Sequence, residues 1–379
     1  TRGLTVGGVD APATVNVIDF TTIASAGDAQ DFGDLLGVKA SVGALSSTTR
    51  AVFGGGYSVS NPSAATNDIT SLTIATTGNS ADFGDLTNNR RYLNGVSSNT
   101  RGVFCSGSTP AANNTIDFIT IASAGNATDF GDLSETERLR PYSFASSTRG
   151  IIGGGRDHPN YFTSIDFITT SSGGGANDFG ELIQGAWSGS GASNNTRGLF
   201  IGGYVPDSNT TFAQSLRNFK KIQFVEIAST GDATEFGEVT ENGIRENGAL
   251  ATPTRAVRLG GKTTTAAPSW SNEVKSIDFV TIATKGDAED FGELIDPNTA
   301  GTGCSNSTRG IYAGGVVSSP SRVNVIQFIT IATLGNAQDF GDLIAVSCLQ
   351  GAAASSTRGV FAGGSVSYTH LTLPTKRIV

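Results

Sequence analysis

Residues 17–35 read Val-Ile-Asp-Phe-Thr-Thr-Ile-Ala-Ser-Ala-Gly-Asp-Ala-Gln-Asp-Phe-Gly-Asp-Leu, and this stretch recurs along the chain with few changes. The copy at 276–294 reads Ser-Ile-Asp-Phe-Val-Thr-Ile-Ala-Thr-Lys-Gly-Asp-Ala-Glu-Asp-Phe-Gly-Glu-Leu. Apolar and polar residues alternate over 17–24, which is typical of a half-buried β-strand. Gly27-Asp28 indicates a turn. The stretch therefore predicts two strands joined by a turn, the second of them centred on Phe32.

Three further landmarks accompany this unit in a fixed order. A Thr-Arg pair recurs, and its Arg advances from position 2 to position 358 in seven steps, a mean period of about 51 residues. A Gly pair follows each Thr-Arg, degraded once to Ser106-Gly107, and a stretch of small residues such as 43–47 or 351–356 precedes the next Thr-Arg. Each period thus holds four short extended segments separated by Gly and Asx turns.

Four short strands per period predict the blades of a β-propeller, because such units bury their apolar faces only against one another. We expect an all-β, seven-bladed β-propeller of four-stranded antiparallel blades. The small-residue strand is expected innermost, where strands converge on the axis. The whole of residues 1–365 is then one domain.

The landmarks resemble the kelch repeat over residues 2 to 365. In that family a hydrophobic strand ends in a Gly pair and an aromatic residue marks an outer strand. Here Phe of Asp-Phe-Gly stands where kelch repeats usually carry Trp, so the chain is similar to a divergent variant, as found in phage and marine viral sequences. The resemblance implies a virion or tail-associated protein, and a virion or extracellular location; the residues themselves leave the location open.

The two ends of the chain predict how the ring closes. The chain starts on the second strand of a blade, and the small-residue stretch at 348–356 is the missing first strand of that blade. Residues 358–364 form a redundant second strand, which either competes with residues 3–8 or belongs to a further repeat. Seven blades are expected, with eight as the alternative in a longer protein, since both ends look truncated.

Residues 366–379 break the repeat. The segment Ser367-Tyr368-Thr369-His370-Leu371-Thr372-Leu373-Pro374-Thr375 resembles a translated sequencing adapter from a transposon-based library. We expect this tail to be non-native and the chain to be a metagenomic fragment, and we exclude the tail from fold reasoning.

Composition excludes several functional classes. The net charge is −8 and no Lys/Arg run occurs, which argues against nucleic acid as a partner. No apolar stretch approaches 18 residues, so no membrane span is expected. Cys105, Cys304 and Cys348 show no metal-binding spacing and are expected to be buried free thiols. No cofactor is implied.

Catalytic motifs are largely missing. Asp-Phe-Gly is the magnesium-binding tripeptide of protein kinases, but here it recurs in every repeat, once as Glu-Phe-Gly, without the other kinase motifs. The chain has two His, His158 and His370, so no metal centre or catalytic triad can be assembled. Asp and Asn three residues apart in the turns indicate Asx-capped turns, with calcium as the weaker alternative. No catalytic residue and no metal ligand is assigned.

Two residue types are expected to hold the repeats together. The Phe of each Asp-Phe-Gly is expected to be a core anchor between blades: Phe32, Phe83, Phe130, Phe179, Phe236, Phe291 and Phe340. The recurrent Arg is hypothesised to pair with the acid that follows Asp-Phe-Gly, such as Asp34, or else to remain solvated: Arg50, Arg101, Arg149, Arg197, Arg255 and Arg309.

Length variation is confined to one loop per repeat. Between the Gly pair and the Ile strand the seven gaps are 9, 12, 8, 9, 18, 15 and 10 residues. Because equivalent loops of a propeller emerge on one face, these insertions predict the binding face. The candidate ligand-binding residues in them are Arg156, His158, Tyr161, Tyr204, Phe212, Arg217 and Trp270.

The sequence therefore favours a non-enzymatic binding or structural module that meets a protein or a glycan through this face. Aromatic side chains beside polar groups suit sugars or a protein partner, although they can equally pack into small cores within their own loops. The alternative is a propeller hydrolase or lyase acting on polysaccharide with paired carboxylates, since acidic residues are plentiful.

Overall fold

A computed structural model describes residues 3–10, 13–23, 26–39, 41–58, 61–109, 111–135, 138–157, 160–205, 217–241, 243–263, 272–317, 321–348, 351–354, 359–362 and 365–366. The described chain is all-β and folds as a β-propeller whose regular blades are four-stranded antiparallel sheets. No helix long and apolar enough to cross a membrane is found among these residues.

Six blades follow one plan, in which sequence order is also spatial order from the axis outward. Their strands are, from innermost to outer, Gly43–Ser46, Arg50–Gly54, Asp68–Thr73 and Ala81–Asp85 in the first blade; Asn94–Ser97, Arg101–Cys105, Thr115–Thr120 and Thr128–Asp132 in the second; Tyr142–Ala145, Arg149–Gly153, Ser164–Thr169 and Asn177–Glu181 in the third; Ser190–Ser193, Arg197–Ile201, Lys221–Glu226 and Thr234–Glu238 in the fourth; Gly248–Ala251, Arg255–Leu259, Ser276–Thr281 and Glu289–Glu293 in the fifth; and Thr302–Ser305, Arg309–Ala313, Val325–Thr330 and Gln338–Asp342 in the sixth.

The small-residue strand is innermost, as predicted. Each innermost strand contacts those of the neighbouring blades around the axis, and its small side chains allow the sheets to approach there.

The expected seventh four-stranded blade is not formed, and a sheet assembled from both ends of the chain takes its place. We call it the terminal sheet. Its main path runs Gln30–Asp34, Ala13–Thr21, Gly3–Asp10, Gly359–Ala362 and Gly351–Ala354, with Ser347–Cys348 and Ser365–Val366 paired beside it.

The expectation that Gly351–Ala354 pairs with the N-terminal strand is also wrong. Gly351–Ala354 pairs antiparallel with Gly359–Ala362, its neighbour in sequence, just as the first two strands of every regular blade do. Gly3–Asp10 then adds in parallel on the far side, with Leu4 opposite Val360. The two copies of the second strand therefore share one sheet instead of competing. The expectation of a non-native tail stays a prediction, because residues 367–379 lie outside the described part.

Neighbouring sheets are joined at their outer edges by the same contacts around the ring. The turn between the third and outer strands of one sheet donates two backbone hydrogen bonds to the outer strand of the sheet before it. The Gly78 N–H bonds Phe32 O at 2.7 Å, and the Gly125 N–H bonds Phe83 O at 2.6 Å. The Gly27 N–H bonds Phe340 O at 2.6 Å, which joins the sixth blade to the terminal sheet. The ring is closed, as the repeat predicted.

The aromatic anchors are buried, as predicted. The Phe side chains of the seven Asp-Phe-Gly or Glu-Phe-Gly motifs are each 2–3% exposed. Phe32, for example, packs with Phe53 and Leu72 of the next sheet, so it lies in the core between two sheets. In six of the seven sheets the ring also meets the Phe of the third strand edge to face, as Phe179 does with Phe167 at 6.0 Å between centroids.

The hypothesised pairing of the recurrent Arg with the acid after Asp-Phe-Gly is wrong in the described part of the chain, although Arg197 pairs with a different carboxylate, that of Glu226, at 2.7 Å. Instead the recurrent Arg reaches a carbonyl oxygen in the next sheet, from Arg50 to Ile121, Arg149 to Ile227, Arg197 to Ile282, Arg255 to Ile331 and Arg309 to Ile23, at 2.6–3.0 Å. The guanidinium of Arg101 stacks on Phe118 at 4.3 Å from the ring centroid. Among the acids after Asp/Glu-Phe-Gly, Glu238 and Glu293 pair with lysines.

Candidate ligand site at the channel mouth

The loops of variable length emerge together on one face, which we call the long-loop face. In the first five blades these loops form short hairpins, Tyr57–Ser58 with Asn61–Ala65, Ser108–Thr109 with Ala111–Ala112, Arg156–Asp157 with Asn160–Tyr161, Tyr204–Val205 with Arg217–Asn218, and Lys262–Thr263 with Asn272–Glu273. The connections from each outer strand to the next blade lie on the same face, because antiparallel strands alternate in direction. Single β-bridges tie the two kinds of loop together, as between Trp187 and Tyr204.

A ring of unusual backbone surrounds the channel on this face. Six non-glycine residues, each two positions before an innermost strand, have φ between 47° and 61°: Ser41, Tyr92, Arg140, Ser188, Glu246 and Ala300. We call them the mouth ring. Backbone hydrogen bonds join several of its members, such as the Glu246 N–H to Ser188 O at 2.8 Å and the Ala300 N–H to Glu246 O at 2.9 Å. Side-chain-bearing residues rarely adopt this conformation, and such residues concentrate at functional sites.

The mouth ring lines a cavity of about 380 Å³. Polar groups from the innermost strands and the residues before them complete its wall, among them Asn94, Ser143, Asn247 and Thr302. Asn247 is 8% exposed, and its Oδ1 accepts no hydrogen bond within the described structure. A concave, polar site of this size is typical of small-ligand binding.

Arginine and aromatic side chains alternate beside the cavity, and two of them, Tyr92 and Arg140, line it. The Arg140 guanidinium carbon lies 5.8 Å from the ring centroids of both Tyr92 and Trp187. Arg156 stacks on Trp187 at 3.6 Å, and Arg91 lies 5.3 Å from Tyr92. We call these five side chains the arginine–aromatic arc. All five side chains are partly exposed.

The next part of the rim carries both charges. Arg245 pairs with Glu246 at 3.3 Å, and Lys262 lies 3.9 Å from Glu246 and 3.7 Å from Glu273. Arg245 also stacks on Tyr204 at 4.5 Å. Here cations and carboxylates compensate one another.

The structure places some of the sequence-predicted ligand residues near this cavity. Arg156 and Tyr204 lie in the long-loop hairpins and contact Trp187, which is next to the mouth ring. Tyr161 pairs with Arg156 across its hairpin. Arg217 lies in the hairpin opposite Val205. His158, Phe212 and Trp270 lie outside the described residues, so their candidacy stays a prediction.

Sequence reasoning missed the residues that line the cavity. Tyr92, Arg140 and Glu246 lie in the connection after the outer strand, whose nearly constant length gave no reason to single it out. A different signal was present, since the residue two positions before the small-residue strand differs between most repeats although its spacing is fixed. Variation in side chain at constant register marks this site better than variation in loop length.

Buried polar residues support the site from the blade interiors. The third strand of each regular blade carries a carboxylate or amide that accepts a backbone N–H from the preceding sheet, except in the first blade, which has Thr70. Gln223 accepts from Ile183 at 2.7 Å, and Asp278 accepts from Thr240 at 2.9 Å. We call such a residue an interblade acceptor. Where the acceptor in a regular blade is Asp, an arginine accompanies it, namely Arg90 for Asp117, Arg138 for Asp166 and Arg258 for Asp278.

Asp19, the acceptor in the terminal sheet, differs from the others. It is 4% exposed and accepts the Ile344 N–H at 3.2 Å, and no cation pairs with it in the described structure. Burial raises its pKa to about 7, and nearby Asp31 acts in the same direction. This perturbed carboxyl group lies in a sheet interior, away from the residues that line the cavity.

No group of three or more potential metal-ligating His, Cys, Asp or Glu side chains occurs among the described residues. The Asx residues weighed as calcium ligands cap the junctions instead, as Asn79 Oδ1 accepts the Asp34 N–H at 3.0 Å. Cys105, Cys304 and Cys348 are buried and free, as predicted.

Comparison with known proteins gives the fold only. No protein-family model and no curated protein matches the chain. A solved structure titled "Structure of YjhT" is similar, with a TM-score of 0.58 and 9% sequence identity over 77% of this chain and 95% of that chain. At this level of identity the likeness supports the β-propeller architecture and carries no information about the ligand.

Proposed function

We propose that this protein is a non-enzymatic binding module that holds a saccharide in the cavity at the channel mouth. One observation carries the proposal: the mouth ring repeats one rarely adopted backbone conformation six times but presents five different side chains. A purely structural position would tend to repeat its residue type, as the buried Phe does. A concave cavity of about 380 Å³ also suits one or two sugar rings better than the broad surface that a protein partner covers.

The proposal also covers the number of blades, the repeat family and the biological role. We propose that the terminal sheet serves as a seventh blade, since it occupies one position of the closed ring and makes the same junction contacts as the others. The kelch-like repeat and a virion or tail-associated role rest on the sequence resemblance. Protein as the partner is the second possibility within the same function.

Polysaccharide cleavage is the rival function. Glycoside hydrolysis commonly uses two carboxyl groups on either side of the scissile bond. Among the described residues, Glu246 is the one carboxylate that lines the cavity, and Arg245 pairs with it. The geometry therefore favours binding over cleavage.

A glycan array with a cavity-filling variant tests the proposal. Ser188→Tyr places at one mouth-ring position the residue that the ring already carries at Tyr92, so the backbone should accept it. We expect the bulky ring to narrow the mouth and reduce saccharide binding by about tenfold or more, which corresponds to about 1.4 kcal/mol. Thr284→Tyr, on an exposed turn of the opposite face, is the matched control and should bind like the wild type.

The outcomes separate the alternatives. Equal binding by wild type and Ser188→Tyr would move the ligand away from the channel mouth. An array on which wild type binds no saccharide would refute the saccharide proposal. Release of shortened saccharide products, abolished by Glu246→Gln, would favour the hydrolase or lyase.

A further inference from the structure

We infer that the saccharide bound at the channel mouth is anionic, carrying carboxylate or sulfate groups, and that Arg140 recognises the charged group with Arg91 and Arg156 beside it. This inference rests on the proposed function and narrows its ligand to one chemical class. Three observations support it: guanidinium groups stack on the aromatic rings, charge is distributed unevenly around the rim, and Arg140 lines the cavity.

The aromatic rings of the arc are already occupied by guanidinium groups. Arg156 covers Trp187 at 3.6 Å, while Arg91 and Arg140 lie 5.3 and 5.8 Å from Tyr92. A neutral sugar binds proteins largely by stacking on a free aromatic face, which these contacts restrict. Stacking instead holds each guanidinium in a fixed orientation, so less conformational entropy is lost when it binds a planar anion.

Two arginines of the arc, Arg140 and Arg156, form no ion pair among the described residues. Arg140 donates to Ser188 Oγ at 3.4 Å. Asp157 follows Arg156 in the same strand, and successive strand residues point to opposite faces. In contrast, Arg245 and Lys262 farther round the rim are paired with Glu246. Although the protein has a net charge of −8, Arg140 in the cavity wall and Arg156 beside it are therefore without a carboxylate partner in the described part of the chain.

Arg140 is the member of the arc best placed to meet a ligand, because it both lines the cavity and belongs to the mouth ring. Its guanidinium lies between Tyr92 and Trp187, which precede the innermost strands on either side of the one that follows Arg140. Arginine presents a fork of N–H donors that matches carboxylate and sulfate oxygens. A saccharide with acidic groups on successive sugars would meet Arg140 in the cavity and the flanking arginines outside it.

Isothermal titration calorimetry with paired ligands tests the inference. Short oligogalacturonates are compared with their fully methyl-esterified forms, and a sulfated galactan oligosaccharide with its unsulfated counterpart. We expect wild type to prefer the charged member of at least one pair by about tenfold, and this preference should shrink as salt is added. The better pair identifies the anion as carboxylate or sulfate.

Arg140→Gln should lose about tenfold in affinity for the charged ligand and leave binding of the neutral one nearly unchanged, since a charge-assisted hydrogen bond contributes about 1.5–3 kcal/mol. Lys285→Gln removes the same charge from an exposed turn of the opposite face and should bind like wild type. Arg140→Lys keeps the charge without the fork and should fall between the two. Unchanged thermal unfolding of all three variants excludes misfolding as the cause.

Each contrary result has a distinct meaning. If wild type binds the neutral and charged members equally, the anionic inference is wrong and the saccharide proposal stands. If Lys285→Gln loses as much affinity as Arg140→Gln, overall charge and not the arc governs binding, which also overturns it. Tighter binding of an oligoglutamate than of any acidic saccharide would assign the site to an acidic protein. If wild type binds no saccharide at all, the proposed function itself is wrong.

Discussion

The junctions at the outer edge and the mouth ring around the axis use repetition in opposite ways. At the junctions both backbone and side chains repeat, so that Phe32 and Phe291 are buried alike and the Gly-to-Phe hydrogen bond recurs around the ring. In the mouth ring the backbone repeats while the side chain changes, from Tyr92 to Arg140 to Glu246. Closing the ring therefore constrains residue type at the edge, and leaves residue type free at the mouth.

The junction between the sixth blade and the terminal sheet is where this regularity should break most strongly. Arg90 accompanies Asp117 at another junction, but the position of Arg90 corresponds to Ser347 here, and Asp19 has no cation in the described structure. With a pKa raised to about 7, Asp19 holds a proton in the folded protein that it loses near pH 4 when unfolded. Its contribution to stability is full below about pH 4 and is lost as the pH rises to about 7.

Asp19→Gln should abolish this dependence, because Gln223 and Gln327 fill equivalent positions and accept the same kind of N–H. We expect the variant to gain about 2.5 kcal/mol of stability relative to wild type as the pH rises from 5 to 8. Urea unfolding of both proteins across this range measures the difference. Parallel curves for the two proteins would show that Asp19 titrates normally.

A methyl group added on one side of a junction should destabilise the protein, whereas a methyl group added on the other side should not. A Cβ at Gly237 would overlap the backbone carbonyl of Gly286 in the next blade, whereas a Cβ at Gly286 would meet nothing within 4 Å. Neither residue has a positive φ that would itself penalise alanine. Gly237→Ala should therefore lower the free energy of unfolding by about 1–3 kcal/mol, the usual cost of overpacking.

Gly286→Ala is the matched control, since it alters the other half of the same contact. We expect its urea midpoint to equal that of wild type or to rise slightly, because alanine restricts the unfolded chain. Equal destabilisation by both substitutions would mean that the two blades are not held at this distance.

The sequence predicts the parts of this molecule that rest on periodicity. Phe32 recurs with a fixed spacing beside apolar residues, and its burial follows because each sheet can cover its apolar face only with the next. The targets of the repeat arginines are different, since Arg50 donates to the carbonyl of Ile121, and a backbone acceptor leaves no mark in the sequence. The predicted blade count was wrong because the chain contains eight copies of the second strand. Gly351–Ala354 pairs with the last copy, Gly359–Ala362, and the first copy, Gly3–Asp10, adds to the edge of that pair.

The smallest predicted effect tests whether the mouth ring is held in its conformation against the preference of its residues. Ala300 has a φ of 56°, so replacing it with glycine removes a backbone penalty of about 1 kcal/mol and adds about the same loss of unfolded-chain entropy. We expect Ala300→Gly to lie within about 0.5 kcal/mol of wild type. Ala249→Gly, in an innermost strand without a positive φ, should lose about 0.5–1 kcal/mol, since glycine weakens strands and nothing offsets it. Both alanines are partly exposed, although Ala249 also packs against a core cluster. Equal losses at the two positions would show that the mouth ring is unstrained and that its shared conformation needs no functional explanation.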